Sequence, residues 1–271
     1  MKCFVCGGEM NFFLEKDFGL ENLGKCEYVR CEDCGLVISK TVYEMSHEDW
    51  TKLNFECHDK FFHTQANEEA DPKLLDRLEA QANVLVELIR RGVFKSDWST
   101  IDYGAGSGLL ADKINSKLQT DWLKKFDAYM AEENYLSAEE VKPASFDFLV
   151  TTSVFEHLLG NQGDVDKIID LIKPGGIMAL HTLICEEVPK DANWFYLYPV
   201  HCTMWTNKAM SKIYKKFNFK GCAYNVESKM WFMFKKNSDF DKLKAEIKNL
   251  FGTWQVSEEF VDYWKVKPYR N

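Results

Sequence analysis

The chain has 271 residues, 46% of them hydrophobic and 14% aromatic, which is enough apolar material for one large domain and a small additional one. Its 42 acidic and 34 basic residues give a formal net charge of −8, without the basic excess typical of proteins that bind nucleic-acid phosphates. Residues 1–10 contain no apolar core of signal-peptide length, and no later run has membrane-spanning length. We therefore expect a cytoplasmic protein without a membrane partner, and the charge balance disfavours a nucleic acid as partner.

Two Cys-x-x-Cys-Gly knuckles lie in the first 40 residues: Cys3-Phe-Val-Cys6-Gly and Cys31-Glu-Asp-Cys34-Gly. Two tight turns of this kind can direct four thiolates at one tetrahedral Zn²⁺, about 2.3 Å from each sulfur. All four ligands would be sulfur, so no coordination position stays open for a substrate. We predict a structural zinc in a ribbon over residues 1–40, against the alternatives of free buried thiols or a disulfide.

Residues 41–70 are aromatic without a clear period, and we expect an irregular linker that folds over the active site as a lid. A strong helix signal follows, with Asp71 as N-cap, Pro72 at the first helical position and Gly92 just past the end. Five apolar residues share one face of this predicted helix: Leu74, Leu78, Ala82, Leu85 and Ile89. The pattern predicts an amphipathic helix that opens the main domain.

Apolar β-like runs alternate with helical patterns through the rest of the chain. The predicted strands are 99–103, 123–126, 146–150 and 177–183, and the predicted helices are 109–118, 165–172 and 207–217. This alternation predicts an α/β fold, a parallel sheet with helices on both faces, over residues 71–236. Two closely spaced runs, 221–226 and 230–234, predict a hairpin at the sheet edge. Residues 237–271 are expected to form a helical C-terminal extension.

A glycine-rich loop follows the first of these strands, with the spacing Asp102-x-Gly104-x-Gly106-x-Gly108. Glycines at a strand-to-helix turn let the backbone approach a ligand closely at the helix N-terminus, although any tight turn of this kind can carry glycines. An acid at the strand end would repel a pyrophosphate and suits the ammonium and sulfonium groups of S-adenosylmethionine. Asp127 closes the next predicted strand, where an acid can bind ribose hydroxyls or remain a solvated loop residue. Together the two features favour an S-adenosylmethionine site.

Residues 72–235 resemble the class I S-adenosylmethionine methyltransferases, whose Rossmann-like sheet has helices on both faces. Phe-Asp-Phe-Leu-Val at 146–150 is similar to the family's fourth strand, and 151–158 is similar to its Glu-His-Leu segment. Ile-Lys-Pro-Gly-Gly at 172–176 is similar to the turn before its fifth strand. The resemblance implies this fold, preceded here by the small N-terminal zinc ribbon.

The same resemblance implies further residues for the cofactor. In the family, the segment between the second and fourth strands covers the adenine, and Leu136 and Ser137 occupy that segment here. Ser153, at the start of the Glu-His-Leu segment, completes the predicted cofactor-binding residues. The segment is short in this chain, so the third strand is expected to be vestigial.

A ribbon before such a domain resembles a narrower group, the methyltransferases of nucleotide-linked sugars in antibiotic and surface-polysaccharide pathways. In its sugar C-methyltransferases, a Tyr-x-Glu-His segment supplies catalytic groups beside the histidine of the Glu-His-Leu segment. This sequence has Tyr198-Pro-Val200-His201 and His157 at the matching positions. Val200 replaces the glutamate, which removes a group that could orient the histidine or take a proton from carbon.

An O-methyl transfer needs fewer catalytic groups than a C-methyl transfer, since one histidine can take the proton of the attacking hydroxyl. His201 is the predicted base and His157 the second candidate, while the alternative is that His201 is a core histidine and His157 braces the cofactor loop. Tyr198 is the third predicted catalytic residue. Four aromatic residues are candidates for the wall of a sugar-sized pocket, or for packing under a loop: Trp194, Tyr196, Tyr198 and Trp205.

Three hypotheses for function follow from these patterns. The first is methyl transfer to a small molecule, a hydroxyl of a sugar or sugar nucleotide. The second is an RNA methyltransferase that uses the ribbon as its grip, although residues 1–40 contain five cationic and seven acidic side chains. The third is a non-catalytic module that binds the cofactor or a partner protein.

Overall fold

The structure, a computed structural model, describes residues 1–20, 23–61, 72–130, 132–160 and 163–265. The chain folds into two compact units, each assembled from three separate segments. The first unit comprises residues 1–72, 153–165 and 182–213, and the second comprises residues 73–152, 166–181 and 214–271.

The first unit is organised around a five-stranded sheet of order β1-β2-β3-β9-β8. Its strands are β1 (Met10–Asp17), β2 (Lys25–Cys31), β3 (Val37–Ser39), β8 (Ile184–Cys185) and β9 (Thr203–Thr206). β1, β2 and β3 form an antiparallel meander, and β3 pairs with β9 through the registers Val37↔Met204 and Ile38↔Thr203. The cysteine-rich segment therefore shares a sheet with β8 and β9, which lie more than 140 residues later in the chain.

Two helices follow β3, where the sequence patterns predicted an irregular linker. They are α1 (Lys40–Tyr43) and α2 (His47–Phe61), so the prediction was wrong for the described part of residues 41–70. Ser46 is the N-cap of α2, because its hydroxyl accepts from the Asp49 amide at 3.1 Å, and the same hydroxyl donates to the Asp49 carboxylate at 2.6 Å. One face of the helix, formed by Trp50, Leu53 and Cys57, is buried in the core of the unit.

The second unit contains a seven-stranded sheet of order β12-β10-β11-β7-β6-β4-β5. Its strands are β4 (Thr100–Tyr103), β5 (Lys124–Phe126), β6 (Phe146–Thr152), β7 (Ile172–His181), β10 (Gly221–Asn225), β11 (Met230–Phe234) and β12 (Trp254–Ser257). β5, β4, β6 and β7 run parallel, and β11, β10 and β12 continue the sheet antiparallel. The predicted α/β fold is confirmed.

The remaining helices of the chain agree with their sequence signals. They are α3 (Pro72–Arg90), α4 (Leu109–Leu118), α5 (Asp164–Asp170), α6 (Asn207–Lys216) and α7 (Asn237–Glu246). The predicted face of α3 packs into the core of the second unit, and Gly92 has the positive φ (70°) of a helix C-terminus. Asp71, its predicted N-cap, lies outside the described residues, as do residues 62–70 of the predicted lid.

The end of the chain differs from the predicted helical extension. α7 is followed by β12, which pairs with β10 and forms the edge of the sheet. Its Trp254 packs on Phe232 of β11, with ring centroids 5.5 Å apart, so an aromatic residue of the tail contributes to the core. Among the described helices, none is long and apolar enough to cross a bilayer.

Candidate functional site

The four predicted zinc ligands meet in the first unit, where their sulfur atoms all lie within 4.8 Å of one another. Cys3 Sγ is 3.7 Å from Cys34 Sγ, and Cys6 Sγ is 3.4 Å from Cys31 Sγ. Four sulfurs at about 2.3 Å from a tetrahedral Zn²⁺ would stand about 3.8 Å apart, close to these separations. None of the four forms a disulfide. The donor set and its spacing therefore fit a zinc ion.

The hydrogen bonds within this cluster favour a thiolate at Cys3. A hydrogen bond from the Cys34 thiol, followed by the Cys6 and Val5 amides, lowers the pKa of Cys3 to about 5 despite its burial. The same hydrogen bond with Cys3, and next burial, raise the pKa of Cys34 well above its usual range, and burial raises the pKa of Cys6. A cluster that already stabilises one thiolate is a favourable starting point for a cation, since metal ligation requires deprotonated sulfur.

The glycine loop of the second unit connects β4 to α4 at the carboxyl edge of the parallel strands. The loop is positioned by β5, because the amides of Gly104 and Ala105 both donate to the Phe126 carbonyl, at 2.8 and 3.0 Å. Gly106 and Gly108 have φ values of 52° and 75°, a region that L side chains rarely adopt. A Cβ at Gly106 would meet open space, so a glycine is needed here for the positive φ and not because neighbouring atoms leave no room for a side chain.

Asp127 lies beside this loop, as its position at the end of β5 predicts. Its carboxylate accepts from the Gly106 amide at 2.9 Å and from the Tyr129 amide at 2.9 Å. The contact with Gly106 joins the acid to the glycine loop directly. The two parts of the predicted cofactor site are therefore brought together.

Asp102 is only 2% exposed, and its Oδ1 has no hydrogen-bond partner in the described part of the chain. Burial, and next the charge of Asp127, raise its pKa to about 7, while Lys125 opposes the shift. An unsatisfied buried carboxyl oxygen is rare in folded proteins and calls for an explanation. A bound cation such as an ammonium group would supply the missing donor, so the loop fits the predicted cofactor.

Two residues that the sequence patterns did not single out hold the loop from the other side. The Tyr135 hydroxyl donates to the Gly106 carbonyl at 2.6 Å, and Lys125 lies 5.0 Å from the centre of the Tyr135 ring. The buried Lys125 ammonium also pairs with Asp112 of α4 at 3.0 Å. No local pattern marks these residues, because their roles depend on the pairing of separate segments.

The segment predicted to cover the adenine follows directly. Leu136 is half-buried, and its amide donates to the Lys125 carbonyl at 2.7 Å. A single bridge between Lys125 and Tyr135 is all that remains of a third strand in the described residues. Ser137 is exposed, and its amide and hydroxyl bind Glu140 at 2.8 and 2.9 Å. Ser153 belongs to the first unit and has a positive φ of 57° directly after β6.

The predicted catalytic histidines lie together in the first unit. A carboxylate oxygen of Glu156 and ring nitrogens of His157 and His201 are all within 4.8 Å of one another. The two imidazole rings make an edge contact with centroids 5.0 Å apart, and the Tyr196 and Tyr198 rings lie 4.5 and 5.3 Å from that of His201. Sequence similarity identified the histidines and Tyr198, and the structure adds Glu156 to the group.

The orientation of His201 is set by its backbone surroundings. Its Nδ1 lies 2.9 Å from the Tyr196 carbonyl, which can only accept a hydrogen bond, so the proton of the neutral ring sits on Nδ1. Nε2 then carries the lone pair. Burial lowers the pKa of His201, while the charge of Glu156 and the Tyr196 carbonyl oppose this effect. The ring is therefore a neutral base near pH 7.

A cleft of about 290 Å³ adjoins this cluster at Tyr198. It is lined by Lys16, Phe18, Leu20, Asn193, Trp194, Phe195, Leu197, Tyr198 and Pro199. Trp194 and Tyr198 are thus wall residues of this cleft, and its use as a sugar pocket stays a prediction. Trp205 is fully buried, between Phe4 and Phe155, so its prediction as a wall residue was wrong. Its position on β9, inside the sheet of the unit, accounts for the difference.

Comparisons with known proteins give a family match and several similar solved structures. A family model described as a methyltransferase domain matches residues 62–223. The chain is similar to a Thermotoga maritima SAM-dependent methyltransferase, a possible histamine N-methyltransferase (12% identity, TM-score 0.41, 67% of this chain and 98% of that one). It is also similar to the plantazolicin methyltransferase BpumL bound to SAH (11% identity, TM-score 0.42, 72% and 93%). Human N-acetylserotonin methyltransferase bound to SAM gives 14% identity and a TM-score of 0.39 (73% and 71%). Comparison with curated proteins gives no match.

Proposed function

This chain belongs to the methyltransferase-domain family, whose match spans more than half of its residues, and we propose that this S-adenosylmethionine-dependent enzyme methylates a hydroxyl of a sugar or sugar nucleotide. The observation that carries the proposal is the arrangement of His201. Its Nδ1 is committed to the Tyr196 carbonyl, and its ring contacts Tyr198, a wall residue of the aromatic cleft. A base beside an aromatic cleft suits the deprotonation of a hydroxyl on a ring-shaped acceptor.

The cofactor would be held by the second unit and would supply an electrophilic methyl group. In our assignment, Asp102 faces its ammonium group, Asp127 binds its ribose hydroxyls, and Gly104, Gly106 and Gly108 allow close approach of the backbone. Leu136 and Ser137 would cover the adenine, and Ser153 would complete the set. The unsatisfied Oδ1 of Asp102 supports this assignment, because ammonium is a donor that it lacks.

The acceptor would lie in the cleft with its sugar ring against Trp194 and Tyr198. S-adenosylmethionine would supply the methyl group and leave as S-adenosylhomocysteine, while Nε2 of His201 would take the proton of the acceptor hydroxyl and become an imidazolium. General-base help of this kind contributes roughly 10²–10⁴-fold in rate, and alignment of the reacting atoms supplies the rest. His157 is the second candidate for the base, and Tyr198 would orient the hydroxyl.

The Cys3, Cys6, Cys31 and Cys34 cluster would hold a structural zinc. The closed set of four sulfurs leaves no position for an acceptor, which supports a role in folding of the ribbon.

Small-molecule specificity is also supported by the charges of the ribbon. Four of its cationic side chains pair with glutamates instead of standing free for phosphates: Lys2, Lys25, Arg30 and Lys40. This pairing weighs against a role in gripping RNA.

The proposal is tested by incubating the zinc-loaded protein with radiolabelled S-adenosylmethionine and a panel of sugar nucleotides. We expect transfer of label to an oxygen of one panel member. His201→Ala should lower kcat by about 100-fold or more without changing the cofactor Kd. His47→Ala, which removes an exposed histidine at the start of α2, is the matched control. Absence of transfer to every sugar nucleotide, with cofactor bound, would overturn the proposal.

A further inference from the structure

Glu156 is a buried carboxylate in the first unit with no cationic side chain as its partner. Glu156 is only 3% exposed, and its Oε2 accepts a hydrogen bond from the Thr182 hydroxyl at 2.8 Å. That hydroxyl is in turn 3.4 Å from the hydroxyl of Tyr196. Across the described residues, no lysine or arginine forms an ion pair with Glu156. Burial of an ionised carboxylate with only neutral hydroxyls around it is costly.

The nearest groups that can become cations are the two histidines of the cluster. His157 follows Glu156 directly in the chain, and His201 is brought to it by the backbone. The Cys202 amide donates to the Glu156 carbonyl at 2.8 Å, and the Trp205 Nε1 donates to the Phe155 carbonyl at 2.8 Å. The Thr203 hydroxyl also donates to the Leu158 carbonyl. These bonds attach residues 155–158 to 202–205, so the distance between Glu156 and His201 is fixed by structure.

We propose that Glu156 is the positioning residue of His201 and that its carboxylate stabilises the imidazolium formed when His201 takes a proton. The inference rests on the proposed function, in which His201 is the base. It also accounts for the departure at position 200. Val200 is buried in the apolar core of the first unit, where a carboxylate would be desolvated without a partner. The negative charge is instead supplied by Glu156, from the segment 155–158 that these hydrogen bonds attach to residues 202–205.

The proton balance of the step is simple. The O–H bond of the acceptor would break as its oxygen bonds to the methyl carbon. The sulfur–methyl bond of S-adenosylmethionine would break with its electron pair left on sulfur, which gives S-adenosylhomocysteine, and the proton would bond to Nε2 of His201. Before the step, the pair consists of a neutral ring and a carboxylate. After it, the pair consists of an imidazolium and a carboxylate within 4.8 Å, an attraction that is strong where water is excluded. The carboxylate keeps its charge throughout and takes no proton.

The electrostatics of His201 support this role. Burial lowers its pKa, and the charge of Glu156 is the first of the two influences that raise it. The other ionisable groups that face the ring are His157, Tyr196 and Tyr198. Burial and the Glu156 charge raise the pKa of Tyr196 well above its usual range, so its hydroxyl stays neutral. Loss of the carboxylate should therefore lower the pKa of His201.

The test is an NMR titration of the imidazole ¹⁵N signals in the full-length, zinc-loaded protein with S-adenosylhomocysteine added. Glu156→Gln should lower the pKa of His201 by about one unit. Glu187→Gln, which removes the same charge from an exposed ion pair with Arg30, should leave it unchanged. An unchanged His201 pKa in folded Glu156→Gln would overturn the proposal.

A second variant distinguishes an electrostatic effect on the pKa of His201 from a general disruption of the site. It also replaces the first variant as the test if Glu156→Gln does not fold. Thr182→Val keeps the Glu156 carboxylate but removes the hydroxyl that donates to it, so the negative charge of Glu156 is less stabilised by hydrogen bonding. The pKa of His201 should then rise, in the direction opposite to Glu156→Gln. A fall or no change would contradict the proposal. So would a second equivalent of bound divalent metal that Glu156→Gln removes, since Glu156 would then be a metal ligand.

Kinetics distinguish this inference from the proposed function. Once an acceptor is known, Glu156→Gln should lower kcat about 10-fold or more, part of the contribution of the base, and shift the acidic limb of the pH profile to lower pH. Normal kinetics in Glu156→Gln would remove the role of Glu156 and leave the methyl transfer standing. If no acceptor is methylated while the NMR titration gives the expected shifts, the proposed methyl transfer would fall and the interaction between Glu156 and His201 would stand.

Discussion

Asp102 illustrates at the scale of one residue how a binding site can reduce stability. Its pKa is raised from 3.8 to about 7, chiefly by burial, so the unliganded fold favours the protonated acid. The stability that Asp102 contributes is complete below about pH 4 and is lost as the pH rises to about 7. The ionised form costs up to about 4 kcal/mol above that pH, since one pKa unit corresponds to 1.36 kcal/mol.

Asp102→Asn should therefore raise the melting temperature of the unliganded protein at pH 8, with the gain shrinking as the pH falls to 5. The same variant should weaken S-adenosylmethionine binding at least about 10-fold at pH 8, because the amide offers no charge to the ammonium group. Differential scanning fluorimetry and calorimetric titration measure the two effects. A lower melting temperature together with unchanged affinity would contradict this account of Asp102.

Asp127 differs from Asp102 because it is half-buried and already accepts two backbone hydrogen bonds. Asp127→Ala should lower S-adenosylmethionine affinity by about 10- to 100-fold, the range expected for hydrogen bonds to a charged group. Calorimetric titration provides the measurement, and Glu133→Ala, an exposed acid near the same segment, is the matched control. Equal affinity in the Asp127 variant and the control would remove the ribose assignment.

The sequence patterns identified this site only in part, and the reason is visible in the residues. Gly104, Gly106 and Asp127 are marked by local spacing, because the loop must turn tightly and the acid must end a strand. Tyr135 and Thr182 carry no such mark. Their partners, the Gly106 carbonyl and the Glu156 carboxylate, lie 29 and 26 positions away, so only the folded chain reveals them.

At the scale of elements, the ribbon depends on two knuckles that meet through β1 and β2. Cys34→Ala should abolish binding of one zinc equivalent and weaken the protection of β1–β3 against hydrogen exchange, since structural zinc contributes directly to folding. Cys26→Ala is the matched control. Cys26 is a buried thiol of β2 whose pKa burial raises to about 11, and it stands outside the sulfur cluster. Loss of zinc in both variants alike would contradict the assigned ligand set.

Most elements of the parallel sheet could be predicted because their apolar runs are bounded by clear turn signals. The α4 prediction agrees to the residue, and β4 and β5 each begin one residue later than expected. α2 was missed although Ser46 is an N-cap residue type and Trp50, Leu53 and Cys57 share a helical face. The pairing of β3 with β9 was beyond reach, because no local pattern specifies a partner strand.

At the scale of the whole molecule, the two kinds of ligand should act on different units. S-adenosylhomocysteine should increase hydrogen-exchange protection in residues 100–108 and 124–137 of the second unit. Removal of zinc by a chelator should decrease protection in residues 1–39 and 203–206 of the first unit. Hydrogen-exchange mass spectrometry resolves both responses in one experiment. Identical changes in both units under either treatment would contradict this division.

The shared sheet of the first unit has a consequence for biosynthesis. β3 emerges from the ribosome long before β9, so the sheet edge beyond Val37 and Ile38 stays open until residues 203–206 have been translated. During that interval the nascent chain exposes a hydrophobic strand edge, a known template for aggregation. The reverse holds for a recombinant fragment that begins at residue 73. It would retain β8 and β9 without β3, and we expect such a fragment to be recovered mainly in inclusion bodies.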